Sequence, residues 1–292
     1  MIDTSTGDLT EFLLHGRNAD GGWGYYPAKS SRLEPTAWAV LALHAGGHAK
    51  EDATALLRNW PSSDGLLLEH AGGEPNYAFQ GLALLVMLAC GVEHAAGNGS
   101  LLGGLQRVKG IKQAQSAMSP RQDNSLQAWS WIAGTFSWVE PTGWCLLSLK
   151  KWAQKPGVHV DSGRVNEAER LLINRSCPSG GWNFGNADVF GQDLRPYVPT
   201  TAIALLAMQD RRADPVVARS IDYLEQQATS EPSSIALGVA LLALRACGRR
   251  NDRVRAALLE QLPVTLELRN HAAIALASYA LGPEQANAAF TL

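Results

Sequence analysis

The chain has 292 residues, of which 46% are hydrophobic, so it is long enough to bury one large core. Its 25 basic residues nearly balance its 27 acidic residues, and its runs of Lys and Arg are short, which excludes the electrostatic footprint of a nucleic-acid-binding protein. The longest apolar run, from Gly81 to Gly91, is about half the length of a membrane span, so we predict a soluble protein.

The cysteines and the first residues predict a location. Cys90, Cys145 and Cys247 fall in apolar helical runs, where a thiol behaves as a small hydrophobic group. Cys177 falls in a predicted loop without a mate, so a disulfide framework is not expected. The opening MIDTSTGDLT lacks the basic start and apolar stretch of a signal peptide. These features predict a reducing, cytoplasmic compartment.

Taken in chain order, the predicted helices alternate between two types. One type is rich in Ala and Leu with almost no charge on any face, which predicts burial on all sides. These helices span Thr36–Ala45, Tyr77–Cys90, Thr142–Trp152, Thr200–Gln209, Ser234–Cys247 and His271–Leu281. The other type has Arg and Glu on one side and Leu, Ile or Val on the other, as surface helices do. These helices span Leu9–His15, Asp52–Trp60, Leu101–Ser116, Gly163–Asn174, Pro215–Ala228 and Asp252–Leu262.

This alternation predicts an all-α fold, because strand signals are nearly missing. Helices that are apolar all round must touch both an outer layer and a centre, which favours a ring inside a ring. An open solenoid would need polar terminal repeats, yet the last predicted helix, His271–Leu281, is as apolar as the others. We therefore predict one domain over residues 1–292, a closed double ring (α/α toroid) of six inner and six outer helices in six helix-pair repeats.

A repeated phrase marks these units. Glu-Pro-Thr-x-Trp followed by an apolar run occurs as EPTAWAVLAL from Glu34 and as EPTGWCLLSL from Glu140, and Gly-Gly-Trp occurs at Gly21–Trp23 and Gly180–Trp182. Over residues 8–282 this pattern resembles the repeats of squalene–hopene cyclases and of protein prenyltransferase β subunits. The resemblance implies the α/α toroid of that superfamily and an isoprenoid, of polyprenyl or triterpenoid type, in a central apolar cavity.

The chain departs from the family at the chemical motifs. The Asp-x-Asp-Asp acid of the cyclases is absent: when its following Thr is aligned on Thr36 or on Thr142, only Glu34 or Glu140 retains a carboxylate. The zinc ligands of the protein prenyltransferases have no counterpart, so we expect neither a metal nor another cofactor. Cyclases of this superfamily usually have a second helical domain, for which this chain has no room.

The residues just before each inner helix would form a rim around the cavity mouth, and they supply the candidate site. We predict catalytic roles for Glu34, Glu140 and His271, the last because closure of the ring places it beside Glu34. The predicted substrate-binding residues are Asn76, Trp129, Trp131, Trp138, Trp144, Phe190 and Tyr197.

Each of these predictions has a structural alternative. Glu before Pro in a first helical turn is a common helix start, and the helix N-terminus lowers the carboxyl pKa, which opposes a general acid. Alternate inner helices lie roughly 14–17 Å apart, too far for Glu34 and Glu140 to share a proton as a dyad does. Trp23 and Trp182 are expected to brace outer helices, whereas the stretch from Trp129 to Trp138 is the better candidate for binding and for stabilising a carbocation.

Three functions stay open at this point. The first is a terpene cyclase-like or prenyltransferase-like protein that acts on or binds an isoprenoid. The second is a non-catalytic toroid scaffold that binds a protein or a lipid carrier. The third is a toroid glycosidase that uses paired carboxylates. Peripheral contact with a membrane and a partner subunit also stay open, and nucleic acid is not expected as a partner.

Overall fold

The computed structural model describes residues 6–48, 59–92, 98–283 and 288–292. These residues are mostly helical, which confirms the all-α prediction. Two short strands, β1 (Asp188–Val189) and β2 (Gln192–Asp193), pair in an antiparallel hairpin. Within the described ranges, no helix combines the length and the apolar character needed to cross a membrane.

The structure contains every predicted apolar helix, and each lies within a few residues of its expected position. Their side chains are buried almost throughout, because each helix contacts neighbours on all sides. The apolar helices are α2 (Leu33–Ala45), α3 (Tyr77–Ala89), α5 (Val139–Ala153), α7 (Val198–Met208), α9 (Ser234–Ala246) and α11 (His271–Leu281).

Surface helices precede the apolar ones along the chain and pack on their outer sides. They are α1 (Thr6–His15), α4 (Asn98–Arg107), α6 (Ser162–Asn174), α8 (Pro215–Gln227) and α10 (Asp252–Leu268). The predicted helix Asp52–Trp60 lies almost entirely outside the described residues. An outer layer of six helices therefore stays a prediction.

The predicted helix Leu101–Ser116 is too long, because α4 ends at Arg107. The chain then runs extended: the N–H of Gly110 donates to the carbonyl of Ala128 at 2.9 Å. A Cβ on Gly110 would lie 2.4 Å from the hydroxyl oxygen of Ser137, so this close approach needs glycine. The prediction failed because pairing with a distant loop outweighs the local helical preference.

The apolar helices are arranged in cyclic order. Each one packs against the next in the chain, and α11 packs against α2. A repeated contact accompanies this packing: a carbonyl from the loop of one repeat accepts the first N–H of the neighbouring apolar helix. These bonds, of 2.8–2.9 Å, join Leu33 to Glu69, Tyr77 to Trp131, Val139 to Phe184, and His271 to Tyr25. The bond from His271 to Tyr25 links the last apolar helix to the first repeat.

Glycines bring neighbouring apolar helices close together. A Cβ on Gly81 of α3 would lie 2.6 Å from the backbone of Trp144, and a Cβ on Gly143 of α5 would lie 2.7 Å from Ile203 of α7. These close approaches join α3 to α5 and α5 to α7, and α5 contributes to the candidate site.

Candidate functional site

Three tryptophans brace the surface helices against the apolar ring. Trp23, Trp129 and Trp182 are fully buried. Each indole N–H donates to a carbonyl of the preceding surface helix, at Leu13 (2.7 Å), Leu105 (2.9 Å) and Leu172 (2.6 Å). Each backbone N–H donates to a threonine of the following apolar helix, at Thr36 (2.9 Å), Thr142 (3.3 Å) and Thr201 (2.9 Å). These contacts make the three tryptophans structurally equivalent.

This equivalence corrects the prediction for Trp129, which was expected to bind substrate. Its indole lies between α4 and α5, and the guanidinium of Arg164 lies 4.2 Å from its ring centroid. The side chain therefore faces outward from the ring centre and cannot line a central cavity.

The two copies of Glu-Pro-Thr-x-Trp meet at the centre of the ring. Within each copy the Glu and the Trp are four residues apart, which places them on one helix face with the Glu a turn closer to the loops. The rings of Trp38 and Trp144 contact each other edge to face, with centroids 5.7 Å apart. Glu34 and Glu140 are half-buried above this aromatic pair. We call the group of side chains formed by Tyr25, Glu34, Glu69 and Glu140, together with the two indoles, the acid recess.

Burial sets the ionisation of the recess carboxyls. It raises the pKa of Glu140 to about 7, with the charge of Glu34 as the second cause. It also raises the pKa of Glu69 to about 7, again with Glu34 as the second cause. The expectation that the helix N-terminus would lower the pKa of Glu140 is not met, because burial raises it.

Glu34 and Glu140 each have a side-chain hydrogen bond with the Trp four residues later, but only Glu34 also has one from Tyr25. Burial raises its pKa, but side-chain hydrogen bonds from Tyr25 and Trp38 lower it in part. The hydroxyl of Tyr25 donates to Oε2 of Glu34 at 2.5 Å. The charge of Glu34 raises the pKa of both Glu69 and Glu140, whereas neither of them is among the causes at Glu34. The charge of Glu34 is therefore one of the causes that keep protons on Glu69 and Glu140.

Sequence reasoning missed Glu69 as a recess residue and did not assign Tyr25 a role. Tyr25 lies two residues after Trp23, and Glu69 lies two residues after Leu67. Leu67 occupies, in the second repeat, the position that a bracing tryptophan has in the first. In the second repeat Gln80 replaces the threonine, and its amide both accepts the N–H of Leu67 (2.7 Å) and donates to its carbonyl (2.8 Å). Since neither Leu67 nor Gln80 matches the repeated phrase, no local signal identified Glu69.

The structure does not bring His271 into the recess. Its side chain is 1% exposed and packs between α11 and α1. Its Nδ1 lies 2.7 Å from the carbonyl of Gly24, and a Cβ on Gly16 would lie 2.3 Å from its Nε2. Burial lowers the pKa of His271, so the imidazole is a neutral packing group. This position corrects the predicted catalytic role.

Asn76 and Trp131 lie at the start of α3. The side chain of Asn76 caps this helix by accepting the N–H of Ala78 at 3.1 Å. Trp131 is half-buried and contacts Phe79 edge to face, with centroids 6.2 Å apart. Both residues are on the loop side of the ring, as predicted, and Asn76 has a structural task there.

Trp138 and Tyr197, two of the predicted substrate-binding residues, lie together around a cavity of about 220 Å³. Phe184, which had no predicted role, contacts Tyr197 with ring centroids 5.0 Å apart and completes this aromatic wall. Phe190 is 71% exposed at the turn of the β1–β2 hairpin and does not line that cavity. Its predicted role in substrate binding has no support in this placement.

Metal-ligating groups do not gather anywhere in the described part of the chain: no three His, Cys, Asp or Glu side chains come close enough to hold an ion. The acid recess is instead a set of carboxyls over aromatic rings. Such a set can donate a proton, accept a proton and stabilise positive charge.

No protein-family model matches the chain. No curated protein matches it either. Solved structures do, and at these low identities they show the fold alone.

The type II terpene cyclase MstE from Scytonema has 16% identity and a TM-score of 0.56, over 88% of this chain and 77% of that chain. A protein from Actinoplanes has 16% identity and a TM-score of 0.58, over 89% and 81%. An alpha-amylase from Clostridium perfringens has 9% identity and a TM-score of 0.63, over 96% and 98%. The chain thus has an α/α-toroid-like fold. A variant of MstE was solved in complex with the substrate geranylgeranyl dihydroxybenzoate.

Proposed function

We propose that this chain is a terpene cyclase-like protein that holds an isoprenoid in the centre of a closed ring of six inner and six outer helices. One observation supports this most: Glu34 and Glu140, each with a raised pKa, lie one helical turn above the paired indoles of Trp38 and Trp144. An acid over aromatic faces is what a proton-initiated cyclisation of an alkene requires. A variant of MstE, whose fold is similar, was solved with a geranylgeranyl compound, and this supports the proposal.

Glu140 is the proposed acid. A carboxyl with a pKa of about 7 retains its proton on about half of the molecules at neutral pH, which suits a general acid. Its O–H bond breaks as a C–H bond forms at one alkene carbon, and the other carbon becomes a carbocation. The ring faces of Trp38 and Trp144 would stabilise this cation by about 0.5–2 kcal/mol per contact.

Glu34 is the proposed base. The hydroxyl of Tyr25 donates to its carboxyl at 2.5 Å and holds it in place. After ring closure the cation loses a proton to Glu34, so the product is an isomer of the substrate. Glu34 then releases this proton to water and Glu140 takes one up from water, which restores the starting state.

Incubation with geranylgeranyl diphosphate, squalene, oxidosqualene and a geranylgeranylated dihydroxybenzoate tests the proposal. We expect mass spectrometry to detect a cyclised isomer of at least one substrate, and Glu140→Gln to abolish it. Glu11→Gln, on the exposed face of α1, is the matched control and should leave the product unchanged. Absence of both product and isoprenoid binding in the folded wild-type protein would contradict the proposal.

Two other functions have some support. The centre of the ring below the indoles is filled by the ring of Phe290, as a non-catalytic scaffold would have it. The coupled carboxyls Glu34 and Glu140 also suit a glycosidase, in which one acid has a raised pKa. Release of sugar from aryl glycosides or maltooligosaccharides by the wild type, and its loss in Glu140→Gln, would favour the glycosidase over the cyclase.

A further inference from the structure

The cavity of about 220 Å³ lies beside the start of α5, and aromatic side chains line much of it. Trp138 is the residue just before this helix. The carbonyl of Phe184 accepts the N–H of Val139, the first residue of α5, at 2.9 Å. None of the carboxyls of the acid recess lines this cavity, so it is a separate space next to the recess.

The aromatic walls of this cavity are held in place by their own packing. The ring of Phe136 packs on that of Trp138, with centroids 4.5 Å apart, and Phe184 packs on Tyr197, with centroids 5.0 Å apart. A Cβ on Gly185 would lie 3.1 Å from Cε3 of the indole, so the backbone also contacts the Trp138 ring closely. Phe184 is nevertheless 52% exposed, and Trp138 and Tyr197 are half-buried. A flat ring from solution can therefore stack on a surface that is already formed.

Asn183 places a hydrogen-bond donor at the same cavity. Its side chain is 5% exposed, and its Oδ1 accepts the N–H of Gly185 at 3.1 Å and the N–H of Asn186 at 3.2 Å. These two bonds fix the orientation of the amide group. Its Nδ2 has no acceptor among the described residues, although the residue is buried and lines the cavity. Since an unpaired buried donor costs free energy, an acceptor supplied by a ligand would stabilise this arrangement.

Arg195 adds a positive charge to the cavity. Its Cζ lies 5.7 Å from the centroid of the Tyr197 ring. In the part of the chain that the structure describes, its guanidinium forms no ion pair, whereas the nearby Asp193 is paired with Arg121. No Asp or Glu is among the lining residues, so nothing in the wall repels an anion. The guanidinium is therefore available to a negatively charged ligand.

The size and the chemistry of the cavity indicate one class of ligand. A volume of about 220 Å³ is below the range of about 300–1,000 Å³ that drug-sized ligands occupy, so it holds one flat ring system with a small substituent. Aromatic walls favour an aromatic ring. The planar guanidinium of arginine matches the two oxygens of a carboxylate. A neutral sugar has no group that uses this charge.

We propose that this cavity binds an aromatic carboxylate. The ring of the ligand packs against Trp138, Phe184 and Tyr197. Its carboxylate accepts hydrogen bonds from the guanidinium of Arg195 and from the amide of Asn183. This inference goes beyond the proposed function and does not depend on proton donation by Glu140.

The experiment titrates the full chain with 2-naphthoate and with 2-naphthamide, its uncharged counterpart of nearly the same shape, by calorimetry. Arg195→Gln removes the charge, Arg195→Lys keeps it without the planar fork, and Phe184→Leu removes one aromatic wall. Both side chains are exposed, so the variants should fold, and circular dichroism checks that they do. Arg253→Gln, on the exposed side of α10, is the matched control. Phenyl phosphate and methyl glucoside are titrated as competing ligand classes.

We expect the wild type to bind 2-naphthoate about tenfold more tightly than 2-naphthamide, because hydrogen bonds to a charged group are the stronger ones. Arg195→Gln should remove this preference, Arg195→Lys should retain part of it, and Arg253→Gln should leave it unchanged. Phe184→Leu should weaken the binding of both ligands by a similar factor, since both stack on the same wall.

Three results would overturn the proposal. They are equal or undetectable binding of the two naphthalene ligands by the wild type, equal losses in Arg195→Gln and Arg253→Gln, and tighter binding of phenyl phosphate or methyl glucoside than of 2-naphthoate. None of them bears on a cyclised product or on its loss in Glu140→Gln, so this proposal and the proposed function fail separately.

Discussion

The first repeat (α1 and α2) and the third repeat (α4 and α5) share a structural brace with the fourth repeat (α6 and α7), but they differ from it at two inner side chains. This difference distinguishes residues that the fold needs from residues of the candidate site. All three use the same brace, in which a buried tryptophan N–H donates to a threonine hydroxyl. At the position of Glu34 and Glu140, however, the fourth repeat has Pro199. At the position of Trp38 and Trp144 it has Ile203.

The fourth repeat thus shows that this backbone forms without the acid and without the inner indole. The fold requires the brace tryptophan and the threonine, and it tolerates other side chains at the two inner positions. Burial also raises the pKa of Glu34 and of Glu140, which lowers the free energy of unfolding at neutral pH. The proposed function accounts for their presence by a role in the acid recess.

The largest expected effect follows from replacing the proposed acid. Glu140→Gln should lower the rate of product formation by about a hundredfold or more, which is the usual contribution of a general acid. Pro199→Ala, at the matching position of the fourth repeat, should leave the rate within a factor of a few. A rate assay of both variants, on a substrate identified by the incubation experiment, checks this prediction. Equal losses of rate in the two variants would contradict the distinction between the repeats.

The brace and the inner indole should differ in their effect on stability. Trp182→Ala deletes a fully buried side chain together with its bond to Leu172, and we expect a loss of about 3–5 kcal/mol in the free energy of unfolding. Trp144→Ile introduces the residue type found at this position in the fourth repeat, so its loss should be smaller. Urea unfolding of both variants provides the comparison. A larger loss for Trp144→Ile would mean that the inner indole is needed for the fold.

Stability should depend on pH through Glu140. Its pKa is about 7 in the folded chain and about 4.5 when unperturbed, so between these values the unfolded carboxyl ionises while the folded one keeps its proton. The contribution of Glu140 to the free energy of unfolding therefore falls as the pH rises from about 4.5 to about 7. Glu140→Gln should be more stable than the wild type by about 1–3 kcal/mol above that window, with little difference below it.

Thermal unfolding at a series of pH values measures this difference. Glu69 titrates in both proteins, so its contribution cancels in the comparison. A difference between the two proteins that stays constant with pH would mean that the pKa of Glu140 is ordinary.

The smallest expected effect is the loss of stability on replacing the threonines of the brace, and this loss should be similar in the three repeats. Thr36→Val, Thr142→Val and Thr201→Val each remove one hydroxyl that accepts a tryptophan N–H, which should cost about 1 kcal/mol. Chemical unfolding of the three variants under the same conditions measures this cost. A cost confined to the fourth repeat would show that the braces are not equivalent.

The fold was largely predictable because helix type depends on local pattern. A run such as Tyr77–Ala89, without charge on any face, has one stable environment, which is burial on all sides. The prediction failed beyond Arg107, where Gly110 joins a distant loop. Contacts of that kind depend on tertiary structure and leave no periodic signal.

The site was predictable only where it used the repeated phrase. Glu34, Glu140 and Trp144 were predicted because they belong to Glu-Pro-Thr-x-Trp, although Trp38, in the other copy of the phrase, was not predicted. Glu69 belongs to a repeat whose brace residues have changed. Trp129 was misassigned because its loop lacks the Gly-Gly pair that marks the other two braces. Phe290 enters the ring from a segment far away in sequence, and such an insertion is visible only in three dimensions.

The central claim is that the acid recess holds a carboxyl with a pKa near neutrality above paired indoles. Nuclear magnetic resonance of protein labelled with ¹³C at the glutamate carboxyls tests it most directly, by following each resonance with pH in the wild type and in Glu140→Gln. We expect a glutamate resonance that titrates at a pH of about 7 and is missing from Glu140→Gln. If every glutamate resonance of the wild type titrates near the ordinary value of about 4.3, the proposed acid is already ionised at neutral pH and the account is wrong.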